Sequence, residues 1–427
     1  MRWFVYILEC RNGSLYTGIA KNVKRRLKEH SQGKGSRYVR SHLPVHVVYQ
    51  ETKTSLSAAL KREAQIKTFT RKIKLRLIQT AAACFLFMGV GQGAIAAEAA
   101  MDTRDSTSPF GVLDFVAWDH SWNNHHYSTK KIEKAAELME KAGVAFIRMD
   151  FLWNDIEARQ GYFSFTKYDN IVGILDKHHI KILGVLGYSA NWTGQKWNEA
   201  PPKEAYISYA MTVVHRYKDR VRYWEIWNEP DSPNYWNPQD DMKTYSELLK
   251  DTSEALKAED PTCQIVLGGL SKYWPINLKK VYKMAGKESF DIVNIHPFTD
   301  PLKKDGIQIL KNNYLGVYRV MEKNGDADKP IWFTELGCPG NDNSSLRGWW
   351  LGRNPTEWEQ AAWVEKVYGE PLRWKGVQKV FWAFFRDTPQ HFSSGIDYFG
   401  LVNGNFTQKQ AYLAYKKVSS EYKIKLN

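Results

Sequence analysis

The chain has 427 residues, 43% of them hydrophobic and 25% charged, an ordinary globular balance that excludes wholesale disorder and is longer than one core normally organises. Its formal net charge of +14 is unevenly placed: residues 1–80 carry 18 basic and 4 acidic side chains, and the other 42 of each sign cancel. The first segment therefore has the footprint of a polyanion binder, which the neutral, aromatic-rich remainder lacks.

Two apolar, β-rich runs, "WFVYILEC" and "LYTGIA", are separated by Asn12-Gly13 and predict a hairpin. A basic helix is expected over residues 23–30, stopping before Gly33. A strand, "VHVVYQE", follows Pro44, and a helix with a start signal at Ser55 comes next. This order, with Val5-Tyr6-Ile7 and Tyr16-Thr17-Gly18 as its two short motifs, resembles the GIY-YIG nuclease domain over nearly all of residues 1–78. Val5 stands where the family has its leading Gly, and Thr17 takes the middle place of the second motif. The resemblance implies nuclease roles for Tyr6, Tyr16, Arg26 and His30, with Glu63 as ligand of one Mg²⁺ or Mn²⁺ ion and nucleic acid as the partner of residues 1–78. Phosphodiester cleavage needs cationic stabilisation, a polarising metal and a group that activates water. One carboxylate with several waters suits Mg²⁺. Simpler roles exist for the same residues: cross-strand aromatic partners for Tyr6 and Tyr16, a solvated charge for Arg26, and an i,i+4 pair with Lys67 for Glu63.

Residues 79–109 form an apolar segment and linker. Basic residues Arg71, Lys72, Lys74 and Arg76 precede an apolar run over residues 81–90, and Ala94-Ile95-Ala96 offers the small residues of a cleavage site. The strongly apolar part is short for a stable anchor and contains Gly89, Gly91, Gln92 and Gly93. The expectation is a secretion signal left inside a fusion, with transient membrane contact through residues 77–97 and cleavage after Ala96. The downstream domain is then periplasmic or secreted; an unused signal leaves it membrane-anchored or cytoplasmic.

From Phe110 the sequence alternates buried strands with amphipathic helices. Eight strands are expected in "FGVLDFVAW", "AFIRMDFLW", "IKILGVLGY", "RVRYWEIWNEP", "QIVLGGL", "DIVNIHPF", "PIWFTELG" and "VQKVFWAFFRD". Near-continuous apolar strands in a βα alternation indicate a parallel sheet covered on both faces, and eight such units a (β/α)₈ barrel over residues 110–427. The fold class is thus α/β: a large TIM barrel preceded by a small α/β domain. In such barrels the active site lies at the C-terminal strand ends. Strand four ends in Trp227-Asn228-Glu229-Pro230 and strand seven in Thr334-Glu335-Leu336-Gly337. Two carboxylates at one mouth are what glycosidic cleavage requires.

The "WNEP" and "TELG" segments resemble clan A of the glycoside hydrolases, family 39 or a relative of family 5, over roughly residues 110–425. The resemblance implies a retaining O-glycosidase of poly- or oligosaccharides that needs no cofactor. It makes Glu229 the acid/base and Glu335 the nucleophile, with Asn228 on the sugar 2-hydroxyl. Arg148 would hold Glu335 ionised, His296 would stand behind the carboxylates, and Trp382 would offer a face to a sugar ring. Phe298 stands where family 5-like members often have a Tyr, so no phenol acts there. His120, His125 and His126 match no standard zinc spacing and read as a cleft loop. Trp192, Trp197, Trp236, Trp349 and Trp350 suit stacking on sugars. Cys263, before strand five, and Cys338, after strand seven, fall at opposite barrel ends and are not expected to bond. The alternative for the whole chain is a nuclease carrying an inactive barrel as a carbohydrate-binding or structural module.

Overall fold

A computed structural model describes residues 3–10, 14–31, 37–43, 45–69, 74, 108–120, 127–341, 353–392 and 394–426. The signal-like stretch, His125, His126, Trp349 and Trp350 lie outside the described residues. Among the described residues no helix is long and apolar enough to cross a membrane. The chain forms two compact units, Met1–Asp102 and Thr103–Asn427.

In the first unit, strands β1 (Trp3–Cys10), β2 (Leu15–Ala20) and β3 (Val45–Lys53) form an antiparallel sheet in the order β2-β1-β3. Being central, β1 is covered on both faces. Tyr6 and Leu8 pack with Val23 of helix α1 (Val23–Ser31) and Val39 of the short α2 (Arg37–Arg40). Val5 and Ile7, one residue out of phase, pack with Ala59 and Ile66 of helix α3 (Leu56–Thr68). The period of two thus sorts one strand's side chains into two small cores. Ser55 caps α3 as expected, its hydroxyl accepting from Ala58 N at 3.1 Å.

The second unit is the barrel. Strands β4 (Phe110–Leu113), β5 (Phe146–Leu152), β6 (Lys181–Gly187), β7 (Tyr223–Ile226), β8 (Gln264–Leu267), β9 (Val293–Ile295), β10 (Ile331–Leu336) and β11 (Val377–Ala383) pair in parallel, each with its chain neighbour, and β11 returns to β4. Between β8 and β9 the ring closes through single bridges, with His296 N donating to Leu270 O at 2.8 Å. Phe146, Leu183, Val266, Ile292, Trp332 and Phe381 fill one interior layer, so the barrel is packed rather than open. Outside, helix α4 (Thr129–Ala142) turns Ile132, Ala135, Ala136, Leu138 and Met139 inward at helical spacing and ends at Gly143, whose φ of 80° favours glycine. Cys263 and Cys338 are buried and free.

Candidate active sites

The barrel mouth opens on a cavity of about 570 Å³ whose lining includes Arg148, Asp150, Asn228, Glu229, His296 and Glu335. The strand expected over "RVRYWEIWNEP" stops at Ile226, because the chain leaves the sheet with Trp227 and Glu229 in the left-handed region (φ 67° and 44°). Non-glycine residues there are strained, and the surrounding packing must hold them. That turn points Glu229 across the mouth toward Glu335 on β10. Glu229, His296 and Glu335 each place a polar atom within 4.8 Å of the other two.

Arg148 of β5 organises the floor. Its guanidinium donates to both oxygens of Glu225 (2.7 and 2.9 Å), to Glu335 Oε1 (2.6 Å) and to Asn228 Oδ1 (2.7 Å). Engaging Oδ1 leaves the amide hydrogens of Asn228 as the donors it offers a ligand. Burial disfavours the Arg148 cation, but Glu225 and Glu335 more than offset this and keep it charged. Arg148 pulls the Glu335 carboxyl down, the direction expected of a neighbouring cation. Burial pushes the Glu335 carboxyl up, and the opposing pull of His296 and Arg148 does not restore the ordinary value. Glu229 is pushed up to about 8, first by burial and then by Asp231. It is therefore an acid at neutral pH, as a proton donor must be.

Behind the carboxylates, His296 sits between Glu229 Oε1 (Nδ1, 2.9 Å) and Thr334 Oγ1 (Nε2, 3.0 Å). Its ring packs against Gly269, where an added Cβ would fall 2.0 Å from Nε2. Only glycine permits that approach. Burial lowers the His296 pKa, which favours a neutral ring.

Trp382 requires a correction. It is fully buried, its indole N–H donates to Phe399 O at 2.8 Å, and it is absent from the cavity lining. Trp236 is likewise core, and Trp192 packs against the core. Trp197 is half exposed and meets Tyr188 and Tyr235 edge-on. The cavity's own aromatics are Trp118, Tyr188, Tyr235, Trp274 and a phenylalanine wall that includes Phe298. Tyr235 supplies a phenol near both carboxylates, whose charge adds to burial in raising it. His120 pairs with Asp155 at 2.7 Å outside that lining, and Lys167 is the cation among Asp119 and Asp155.

Sequence reasoning missed Glu225, Asp150, Tyr235, Asn294 and the role of Thr334. A carboxylate inside an apolar strand was the available signal for Glu225, since a buried charge must be paired.

In the small unit, Tyr6, Tyr16, Arg26 and His30 converge. Tyr6 Oη lies 3.1 Å from His30 Nε2, and the Tyr16 and His30 rings meet edge-on at 5.6 Å. Burial raises Tyr6 to about 12 against the opposing hydrogen bond of Arg26, and the Glu63 charge also reaches it. Gly18 faces Tyr6 across the sheet, and any Cβ there would meet the phenol oxygen at 2.8 Å. Glu63 pairs with Lys67 at 2.9 Å, the simpler of its two expected roles. It offers a metal a single carboxylate, which fits a largely hydrated Mg²⁺ only if Lys67 moves aside.

Residues 2–76 match the GIY-YIG catalytic domain, and residues 124–367 match glycosyl hydrolases family 39. The first segment is 57% identical over 76 residues to a UPF0213 protein of Staphylococcus epidermidis, covering 18% of this chain and 93% of that one. Over the same lengths it is 55% identical to a UPF0213 protein of Staphylococcus aureus. The fold is similar to that of the GH39 enzyme from Xanthomonas axonopodis pv. citri (TM-score 0.58, 18% identity, 74% of this chain and 67% of that one). It is also similar to a monomeric β-xylosidase from Caulobacter crescentus CB15 (TM-score 0.58, 19% identity, 74% and 68%).

Proposed function

From a chain that belongs to glycosyl hydrolases family 39, we infer a retaining O-glycosidase that acts on an oligo- or polysaccharide. The observation that carries this reading is the Glu229–Glu335 pair, with one oxygen of each within 4.8 Å at one barrel mouth. Retaining enzymes hold their carboxyl groups about 5–5.5 Å apart, whereas inverting ones need about 6.5–9.5 Å for an intervening water. In the first step Glu335 attacks the anomeric carbon. The glycosidic C–O bond breaks, its electron pair goes to the leaving oxygen, and Glu229 protonates that oxygen. In the second step Glu229 takes a proton from water, whose oxygen displaces Glu335 and regenerates the free enzyme. The amide hydrogens of Asn228 face the sugar 2-hydroxyl, a contact that strengthens in the transition state. Among similar folds, the β-xylosidase and a xylanase 10B of Thermotoga maritima make xylose-based aryl glycosides a sensible first panel. The test is the configuration of the first-formed sugar, followed by NMR: the retained anomer supports the reading, and the inverted anomer overturns it.

For the small unit we propose metal-dependent nucleic-acid cleavage, supported by the convergence of Tyr6, Arg26 and His30 and by its basic charge. Glu63 would hold Mg²⁺ or Mn²⁺, which would polarise the phosphate; Arg26 would stabilise its developing charge. Cleavage that survives Glu63→Ala or chelation would refute the metal's role. We also propose that the segment around Ala94-Ile95-Ala96 is used as a cleavable signal, so that the barrel acts outside the cytoplasm.

A further inference from the structure

The hydrogen-bond chain behind His296 has a direction that its atoms determine. Thr334 N, which can only donate, lies 3.3 Å from Asn294 Oδ1, and this sets which end of the Asn294 amide faces Thr334. Thr334 Oγ1 is 2.8 Å from the same Oδ1 and 3.0 Å from His296 Nε2. A carbonyl oxygen only accepts, so the single hydroxyl proton of Thr334 is committed to Asn294. Toward His296 the hydroxyl can then only accept, and Nε2 must carry a hydrogen. In a neutral ring Nδ1 is left as a lone pair, and it faces Glu229 Oε1 at 2.9 Å. Two acceptors do not bond, so a proton lies between them.

We propose that Thr334 and Asn294 are positioning residues that lock His296 as its Nε2–H tautomer, so that the one proton shared by His296 and Glu229 rests on the acid. This deepens the glycosidase reading and rests on it. The opposite tautomer would donate Nδ1–H to Glu229 and favour its ionised form, unable to protonate a leaving group. The relay thus keeps the donor loaded between turnovers. Thr334 immediately precedes Glu335 on β10, and Asn294 lies two residues before His296 on β9, so neighbouring strands hold the relay rigid. All three side chains are 0–1% exposed, so water does not compete for these bonds. The other charged groups whose fields reach Glu229 or His296 are Glu335, Arg148, Glu225, Asp231 and Lys272. Glu335 adjoins Thr334 on β10 and the others lie on other segments, and substitution of Thr334 removes none of these charges.

The first test is ¹⁵N NMR on the full chain with labelled histidine, the His296 signals being assigned by their loss in His296→Asn. The Nε2–H tautomer is expected at neutral pH. A neutral Nδ1–H ring, or a doubly protonated one, overturns the inference. The second test is Thr334→Val. It should reduce kcat/KM about tenfold for poor leaving groups, spare good ones and move the basic limb of the pH profile to lower pH, with Thr334→Ser restoring all three. Equal losses on every substrate with an unmoved profile would make Thr334 merely structural and overturn the proposal. A wild type that hydrolyses no glycoside would sink the glycosidase reading while leaving the tautomer measurement to decide the relay by itself.

Discussion

On the retaining mechanism proposed above, Glu229 and Glu335 share a mouth but not a task, and substitution should separate them. Glu229→Gln should cost several orders of magnitude on substrates with poor leaving groups and little on good ones, because acid assistance matters only where the departing oxygen needs a proton. Glu335→Gln should abolish turnover across the whole leaving-group series, since the covalent intermediate is required whatever departs. Equal sensitivity of both variants to the leaving group would contradict the assignment. The pH dependence follows from the same carboxyl. With Glu229 raised to about 8, its acid form is complete well below that pH and is lost as pH rises through it. Rates on poor leaving groups should therefore fall on the basic side near pH 8, and in Glu229→Gln that limb should vanish. Arg148 has a structural stake as well. It is 3% exposed and engages Glu225, Asn228 and Glu335. Arg148→Met should destabilise the fold by about 3–5 kcal/mol, because it strands buried carboxylates. Thermal unfolding checks this.

At the level of single elements, the close approach of β8's end to His296 makes a clean test. Gly269→Ala puts a methyl 2.0 Å from Nε2 and must push the ring aside. Activity should fall at least tenfold on poor leaving groups while the thermal transition moves only a few degrees; an unchanged rate would mean that the ring has room the packing denies it. A helix far from the chemistry gives the complementary case. Helix α5 (Glu357–Gly369) starts with a capping box in which Thr356 and Glu359 satisfy each other's backbone N–H groups. Thr356→Ala should cost about 1 kcal/mol of stability without changing kinetics. Hydrogen bonding from Arg353 lowers Glu359 to about 2, so its contribution is present above the ordinary carboxylate range and is lost as pH falls toward 2. The difference in stability between wild type and Glu359→Gln should shrink over that acid window.

For the whole molecule, the uneven charge separates two behaviours. Because the matched 76 residues make up 93% of a UPF0213 relative, we propose that residues 1–78 form a self-sufficient folding unit. Expressed alone, this unit should bind nucleic acid with an affinity that falls steeply with salt, since each neutralised phosphate releases counterions. Salt-indifferent binding would refute the polyanion reading. The neutral barrel should show no such binding. If the internal signal is used, N-terminal sequencing of barrel recovered from a periplasmic fraction should begin near Ala97. A full-length, wholly cytosolic product would refute export of this form.

The sequence by itself determined the two units, all eight barrel strands in their order, and the Glu229–Glu335 pair. These rest on local information: periodicity, turn chemistry and the motifs at strand ends. Even Ser55 as a cap was legible, because capping spans only three residues. Only the tertiary structure decided what lies more than one turn away. Glu225 and Glu335 reach Arg148 across 77 and 187 residues of sequence. Trp382 could equally have faced the mouth or the core, because a strand covered on both faces carries no polar alternation to tell its sides apart. The raised carboxyl of Glu335 also belongs to the assembled fold. Burial is a property of everything packed around a group, and here it outweighs the downward pull of His296 and Arg148.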